Sequence, residues 1–211
     1  MKDHPIPSVT DLLQYRAIGL VRATYKTPDL ETFTRGVLID SNGEEIEAVV
    51  LGRVMTLMRR HLSLDLPHLW VVYPRCRNED KLHLQISGIW EPSTLGKEDL
   101  ALKEVKNNGS NLDHLSEGDD YFSIRGELIY TKPETNDLVI KIRQKPKDNR
   151  KKTLPFKLLL KGNISKDQLR HFVSIDARRI GQQLHVEDFQ VVSAMPDRKG
   201  KKKKPGIESE R

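Results

Sequence analysis

Apolar and polar positions alternate with period two most clearly in two stretches of the chain. In Leu138-Val139-Ile140-Lys141-Ile142-Arg143, the residues Leu138, Ile140 and Ile142 fall on one side and Val139, Lys141 and Arg143 on the other. In Phe156-Lys157-Leu158-Leu159-Leu160-Lys161-Gly162, Leu158 and Leu160 oppose Lys157 and Lys161. Successive strand side chains point to opposite faces of a sheet, so each stretch turns an aliphatic row inward and a cationic row outward. Two such strands paired display Lys141, Arg143, Lys157 and Lys161 as one patch around Val139 and Leu159. That surface suits a polyanion.

The same patterning divides the chain into two similar blocks. After a short start, where Ser8 is expected to cap a helical turn, the first block reads as strands over Tyr15–Tyr25, Phe33–Asp40 and Glu45–Leu51. Ser41-Asn42-Gly43 is a hairpin signal between the second and third. Val54–Leu62 has helical spacing, with Pro67 as its stop, and strands at Leu69–Tyr73 and Leu82–Trp90 flank a loop over Pro74–Asp80. The second block reads as strands over Tyr121–Tyr130, Leu138–Lys145 and Phe156–Lys161. A single helical turn is expected within Asn163–Arg170, with Ser165 as its cap, before strands at Phe172–Ile180 and His185–Val192. Tyr15-x-x-Ile18-Gly19 echoes Tyr121-x-x-Ile124-x-Gly126, and five short strands in the same order twice indicate an internal repeat. A helix near Lys97–Lys106 and the polar run Asn107–Asn111 fill the connection.

This order, with a helix between the third and fourth of five strands, resembles the OB-fold, a five-stranded Greek-key barrel. Both Tyr15–Trp90 and Tyr121–Val192 resemble it, and the ending Gly181–Val192 looks like an OB closing hairpin. The resemblance implies a mainly β protein of the tandem OB-fold nucleic-acid-binding superfamily: two small five-stranded barrels, one short helix in each, and a disordered basic C-terminal tail. Its boundaries are barrel 1 over 14–92, a linker over 93–119, barrel 2 over 120–195 and the tail over 196–211. OB-folds use the second and third strands and the neighbouring loops as their ligand face, which in block two are the cationic stretches.

Composition narrows the choice of partner. The 211 residues carry a net charge of +6, with 36% hydrophobic and 31% charged residues, so a folded, polar chain with an anionic partner is expected. One cysteine, Cys76, excludes an internal disulfide or a multi-cysteine zinc site. No secretory leader or membrane-length apolar run appears, so a cytoplasmic location without membrane contact is expected. No phosphate-cradling loop, dinucleotide fingerprint or nucleophile elbow is present, and no catalytic residue, metal or cofactor is assigned. The oligomeric state stays open.

The expected function is non-enzymatic binding of RNA or single-stranded DNA by the second barrel and the tail. The candidate contacts are Lys141, Arg143, Lys145, Lys157 and Lys161, bordered by Arg178 and Arg179, with Tyr130 for base stacking. Arg75 and Arg77 in the first block's loop and Lys201, Lys202, Lys203 and Lys204 in the tail complete the set. The first block's second and third strands carry Glu44, Glu45 and Glu47 against a single Arg35, so this barrel is expected to face a protein or merely to space the second one. The alternative function follows from it: an assembly module docking through barrel 1 onto a nucleoprotein complex. Trp70 and Trp90 are expected in the core. Tyr25 and Tyr73 stand at strand ends where either stacking or burial fits, and Cys76 between two arginines is either an activated thiol or an inert one.

Overall fold

The structure is a computed structural model that describes residues 4–28, 33–77, 81–92, 114–144 and 153–196, with Arg77 described by its backbone only. The expected helix near Lys97–Lys106, the run Asn107–Asn111, Lys145 and the tail lysines lie outside the described residues. The first block forms β1 (Arg16–Lys26), β2 (Arg35–Ile39), β3 (Glu45–Val50), α1 (Gly52–His61), β4 (His68–Arg77) and β5 (Lys81–Ile89). The second forms β6 (Tyr121–Lys132), β7 (Asp137–Ile142), β8 (Phe156–Lys161), β9 (His171–Ile180) and β10 (Gln183–Ala194). Strands pair in the order β1–β2–β3–β5–β4 and back to β1, and the second block repeats the circuit as β6–β7–β8–β10–β9 and back to β6. In both circuits the third and fifth strands are parallel and the other pairs antiparallel.

Local chemistry accounts for the elements. In the β2–β3 turn, Asp40 Oδ1 accepts hydrogen bonds from the N–H groups of Asn42 and Glu44, and Gly43 takes φ 81°, a left-handed conformation that glycine adopts without a Cβ clash. Val54 and Met58, one helical turn apart, bury the inner side of α1, while Arg59, Arg60 and His61 fill its last turn, where positive charge complements the helix dipole. The expected turn within Asn163–Arg170 is a 3-10 turn over Lys166–Gln168, capped by the Ser165 side chain accepting from the Asp167 N–H.

Three expectations change. Strand β4 continues through Pro74-Arg75-Cys76-Arg77, read from sequence as a loop, in register with β5. Pairing of β4 with β1 ends at Val72, so the proline lies where one edge is open and its missing N–H is tolerated. At the amino end no helix forms: the Thr10 N–H donates to Gln14 Oε1 and the Leu13 N–H to Asp11 Oδ1, leaving Ser8 without a capping role. Gly19 and Gly126 are not equivalent, since Gly19 faces Val72, the fifth residue of β4, and Gly126 faces Val173, the third of β9.

Strand β1 is buried on both faces. Val21, Ala23 and Tyr25 enter the main core; Ile18 and Leu20 join a second cluster with Ile6, Leu69 and Val71. Trp70 is fully buried and its indole N–H donates to the Ala23 carbonyl at 2.7 Å. Trp90 is half-buried against the second cluster rather than the main one. Tyr25 is also buried, its hydroxyl donating to the Phe33 carbonyl, and burial pushes that hydroxyl up to about 12. It cannot stack on a ligand. Tyr73 is half-buried on the second cluster.

The two blocks are joined by main chain. The start of β1 pairs antiparallel with β6, from Arg16 opposite Arg125 to Gly19 opposite Phe122. A Cβ on Gly19 would stand 2.2 Å from Phe122 Cδ1, so only glycine admits the Phe122 ring there. The main apolar cluster runs without a break through both blocks. Beside it, Arg179 is enclosed by carboxylates: Nη2 lies 2.6 Å from Asp40 Oδ2, Nε 2.7 Å from Asp120 Oδ1 and Nη1 3.5 Å from Glu44 Oε2. Gln182 Nε2 donates to the Glu45 carbonyl at 2.7 Å. The acidic hairpin read as a protein-docking surface thus holds the second block of its own chain.

Burial opposes ionisation of both Asp40 and Asp120. Hydrogen bonds from Arg179 and two backbone N–H groups hold Asp40 below the usual carboxylate range, whereas burial prevails at Asp120 and pushes it up. A carboxyl depressed in the folded state stabilises it above the unfolded pKa and loses that contribution as pH falls through the folded value. Asp40→Asn is therefore expected to cost more stability at pH 7 than at pH 3 in urea titrations. Arg179→Ala is expected to cost about 3–5 kcal/mol at neutral pH by the same measurement, because the buried Asp40 carboxylate and the half-buried Asp120 lose their cation. Gly19→Ala is expected to cost about 1–3 kcal/mol through overpacking against Phe122.

Candidate nucleic-acid interface

The outer face of β6, β7 and β8 carries three cross-strand rows. Register places Lys132, Asp137 and Lys161 in one, Tyr130, Val139 and Leu159 in the next, and Glu127, Lys141 and Lys157 in the third. Leu138, Ile140, Ile142, Leu158 and Leu160 are buried on the opposite face. The alternation read from sequence is therefore the alternation of the folded strands. An irregularity between Leu128 and Tyr130 realigns β6 and sets Tyr130 beside Val139, 46% exposed.

The four cations differ in their surroundings. Lys141 is buried and its ammonium donates to Glu127 Oε2 at 2.9 Å. Lys161 donates to Asp137 Oδ1 at 2.6 Å, and that contact together with the Thr135 hydroxyl holds the Asp137 carboxyl below its usual range. Arg143 remains 50% exposed, 3.9 Å from Glu127 Oε2, with its guanidinium 5.8 Å from the centre of the Tyr15 ring. Lys157 is exposed and makes no ion pair with a described residue. The patch of four contracts: Lys141 and Lys161 are substantially neutralised within the molecule, leaving Arg143 and Lys157 as its outward charges.

A groove of about 770 Å³ opens at this end of the face, lined by Glu127, Lys141, Arg143 and Lys157 together with Arg170, Met195 and Pro196. Its size lies within the range of small-molecule sites. Arg170 was not singled out by sequence, and its backbone is unusual: φ is 65°, with its N–H donating to the Leu128 carbonyl and its carbonyl accepting from Met195 N–H. A long side chain rarely adopts this conformation, and the two hydrogen bonds hold it there at the rim. Glu127 was also missed, because an acid in β6 faces Lys141 only once the register of β6 and β7 is known.

Two basic segments of the sequence adjoin, along the chain, residues that line the groove. Residues 145–152 follow two positions after Arg143 and end three before Pro155, a lining residue, and they carry a net +4. Residues 197–211 continue from Pro196 and carry another +4. Together the two segments exceed the +6 of the whole chain, so the remainder is slightly acidic. Lys145 lies in the first segment and Lys201, Lys202, Lys203 and Lys204 in the second.

The other candidate residues have structural occupations. Arg179 is the buried clamp described above and does not reach a surface ligand. Arg178 forks onto both carboxylate oxygens of Glu187 at 2.9 Å and donates to the carbonyls of Glu117 and Asp119. Arg75 stacks its guanidinium 4.0 Å from the centre of the Phe156 ring and donates to the Pro74 carbonyl, which ties β4 to β8. The side chain of Arg77 lies outside the described residues. Cys76 Sγ accepts the Leu159 N–H at 3.3 Å, and burial pushes its thiol above the ordinary range despite that bond. It is the inert thiol of the two alternatives. No group of three or more metal-ligating side chains occurs among the described residues, and no described helix is long and apolar enough to cross a membrane.

This strand circuit, with α1 between β3 and β4, is that of an OB-fold, and both halves of the chain match OB-fold families. Residues 17–97 match the family described as PatR RNA-binding protein, N-terminal OB-fold domain. Residues 124–193 match the cyanobacterial OB-fold-like RNA-binding domain, C-terminal. The chain is a tandem OB-fold protein and belongs to that nucleic-acid-binding superfamily. No curated protein matches it.

Raised by burial, the Cys76 thiol is expected to react with a disulfide reagent at pH 8 several-fold more slowly than free cysteine, and to reach the free rate in denaturant. Labelling at the free rate in the native protein would contradict the burial seen here.

Proposed function

We propose that this protein binds single-stranded RNA, without catalysing a reaction, through the groove of its second OB domain and the two basic segments that adjoin it. One observation carries the reading: Arg143, Lys157 and Arg170 meet at a single groove on the outer face of β6–β8, and both net-positive segments of the chain join it there. Phosphate contacts release condensed counterions and supply sequence-independent affinity. The exposed Tyr130 beside Val139 and Leu159 offers a place for a base to stack. The RNA-binding descriptions of both matched families favour RNA over single-stranded DNA. The turn of the first domain's acidic hairpin is engaged by Arg179 and Gln182, while the side chains of Glu44 and Glu47 stay about half exposed, so docking through that hairpin is the second reading.

The test is anisotropy titration of a labelled oligouridine across a salt series. Arg143→Glu with Lys157→Glu is expected to weaken binding by about 10- to 100-fold and to shallow the salt dependence by about 0.7 per lost phosphate contact. Removal of residues 197–211 is expected to weaken binding while leaving part of it. Unchanged affinity in the double variant, with all binding lost on truncation, would assign the interaction to the tail and overturn the groove.

A further inference from the structure

The groove contains a feature that phosphate binding does not explain. Glu127 lines it with a side chain only 11% exposed, and a carboxylate there repels phosphate oxygens. Glu127 and Lys141 are direct cross-strand neighbours, both only 11% exposed, and both line the groove. Neutralising a buried lysine is one role for the pair, but a lysine is not needed at that position to build the sheet. The outward residue one row away is Val139, paired with Leu159. Lys141 lies 2.9 Å and Arg143 3.9 Å from Glu127 Oε2, so both cations gather on one oxygen of the carboxylate.

Resting on the RNA reading above, we propose that Glu127 and Lys141 form a guanine-selective base pocket within the groove. The carboxylate offers two adjacent acceptors, and the Lys141 ammonium, 2.9 Å from Oε2, places a donor beside them. Guanine presents the complement along its Watson–Crick edge: the 2-amino group and N1–H donate side by side, and O6 accepts next to them. Adenine and cytosine set a bare ring nitrogen beside their amino group, which meets a carboxylate lone pair. Uracil offers one N–H between two carbonyls. Unpaired RNA exposes these edges to side chains. A site with fixed polar groups discriminates because the wrong base leaves them desolvated and unpaired. The exposed cations Arg143, Lys157 and Arg170 then hold the flanking phosphates, so base and backbone contacts divide between the buried pair and these cations.

The experiment uses the full chain and a labelled oligouridine with one central guanosine, compared with adenosine, cytidine, inosine or uridine at that position. Guanosine is expected to bind on the order of 5- to 100-fold more tightly than adenosine, cytidine or uridine, the discrimination of a good bidentate base contact. Inosine, which keeps N1–H and O6 but lacks the 2-amino group, is expected between guanosine and the others. Glu127→Gln is expected to abolish the preference, read as the ratio of guanosine to uridine affinity within the variant. Should that variant fold poorly, the guanosine-to-inosine comparison on the unmodified protein still decides. Equal affinity for all five oligonucleotides would overturn the guanine pocket and leave RNA binding standing. Failure of every oligonucleotide to bind would overturn both.

Discussion

The antiparallel pairing of β1 with β6 is the constraint on which the remaining arrangement depends. It joins the two five-strand circuits into one hydrogen-bonded sheet, and it requires Gly19, whose missing side chain admits the Phe122 ring. Once these strands are in register, the hairpins at either end of the contact have fixed neighbours. The β2–β3 turn meets Arg179 and Gln182, and β4 meets β8 through Cys76 and Arg75. The join therefore combines backbone pairing, apolar packing and a buried ion cluster. Of these, the ion cluster specifies position more than it adds stability, because desolvation of Arg179, Asp40 and Asp120 offsets much of their attraction.

This join distributes the chain's charges between structure and function. Arg75, Arg178 and Arg179 look like surface cations in the sequence, yet each is held by groups that tie segments together. Of the candidate cations whose side chains are described, the two that stay outward, Arg143 and Lys157, lie on one face of the second domain. The first domain contributes to that face by position: Tyr15, just before β1, sits under the guanidinium of Arg143, and its ring packs edge-on against Phe172 at 5.0 Å. A residue of the first block thereby orients a cation on the second.

Much of the architecture is legible from local patterning. Period-two alternation locates β7 and β8 and assigns their faces, because a half-buried strand exposes every second residue. Helical spacing locates α1, and Ser41-Asn42-Gly43 locates a hairpin. Where reading failed, a long-range contact overruled a local signal. Pro74 marks a loop locally, but the edge it occupies after Val72 tolerates the missing N–H. Tyr25 at a strand end leaves stacking and burial equally open, and the covering of β1 on both sides decides for burial. Gly19 and Gly126 echo each other in sequence while occupying different steps of the repeat.

The sequence by itself determined that this chain makes two similar β units and that one pair of strands turns positive side chains to water, since both properties reside in the spacing of neighbouring residues. Which of those cations stay available was decided only by the tertiary structure. Lys141 meets Glu127 and Lys161 meets Asp137 through strand register, Arg170 reaches the groove through an unusual backbone angle, and Arg179 disappears between two domains. Each outcome depends on residues distant in the chain coming within a few ångströms. Electrostatic pairing falls off over that distance, and spacing along the sequence does not measure it.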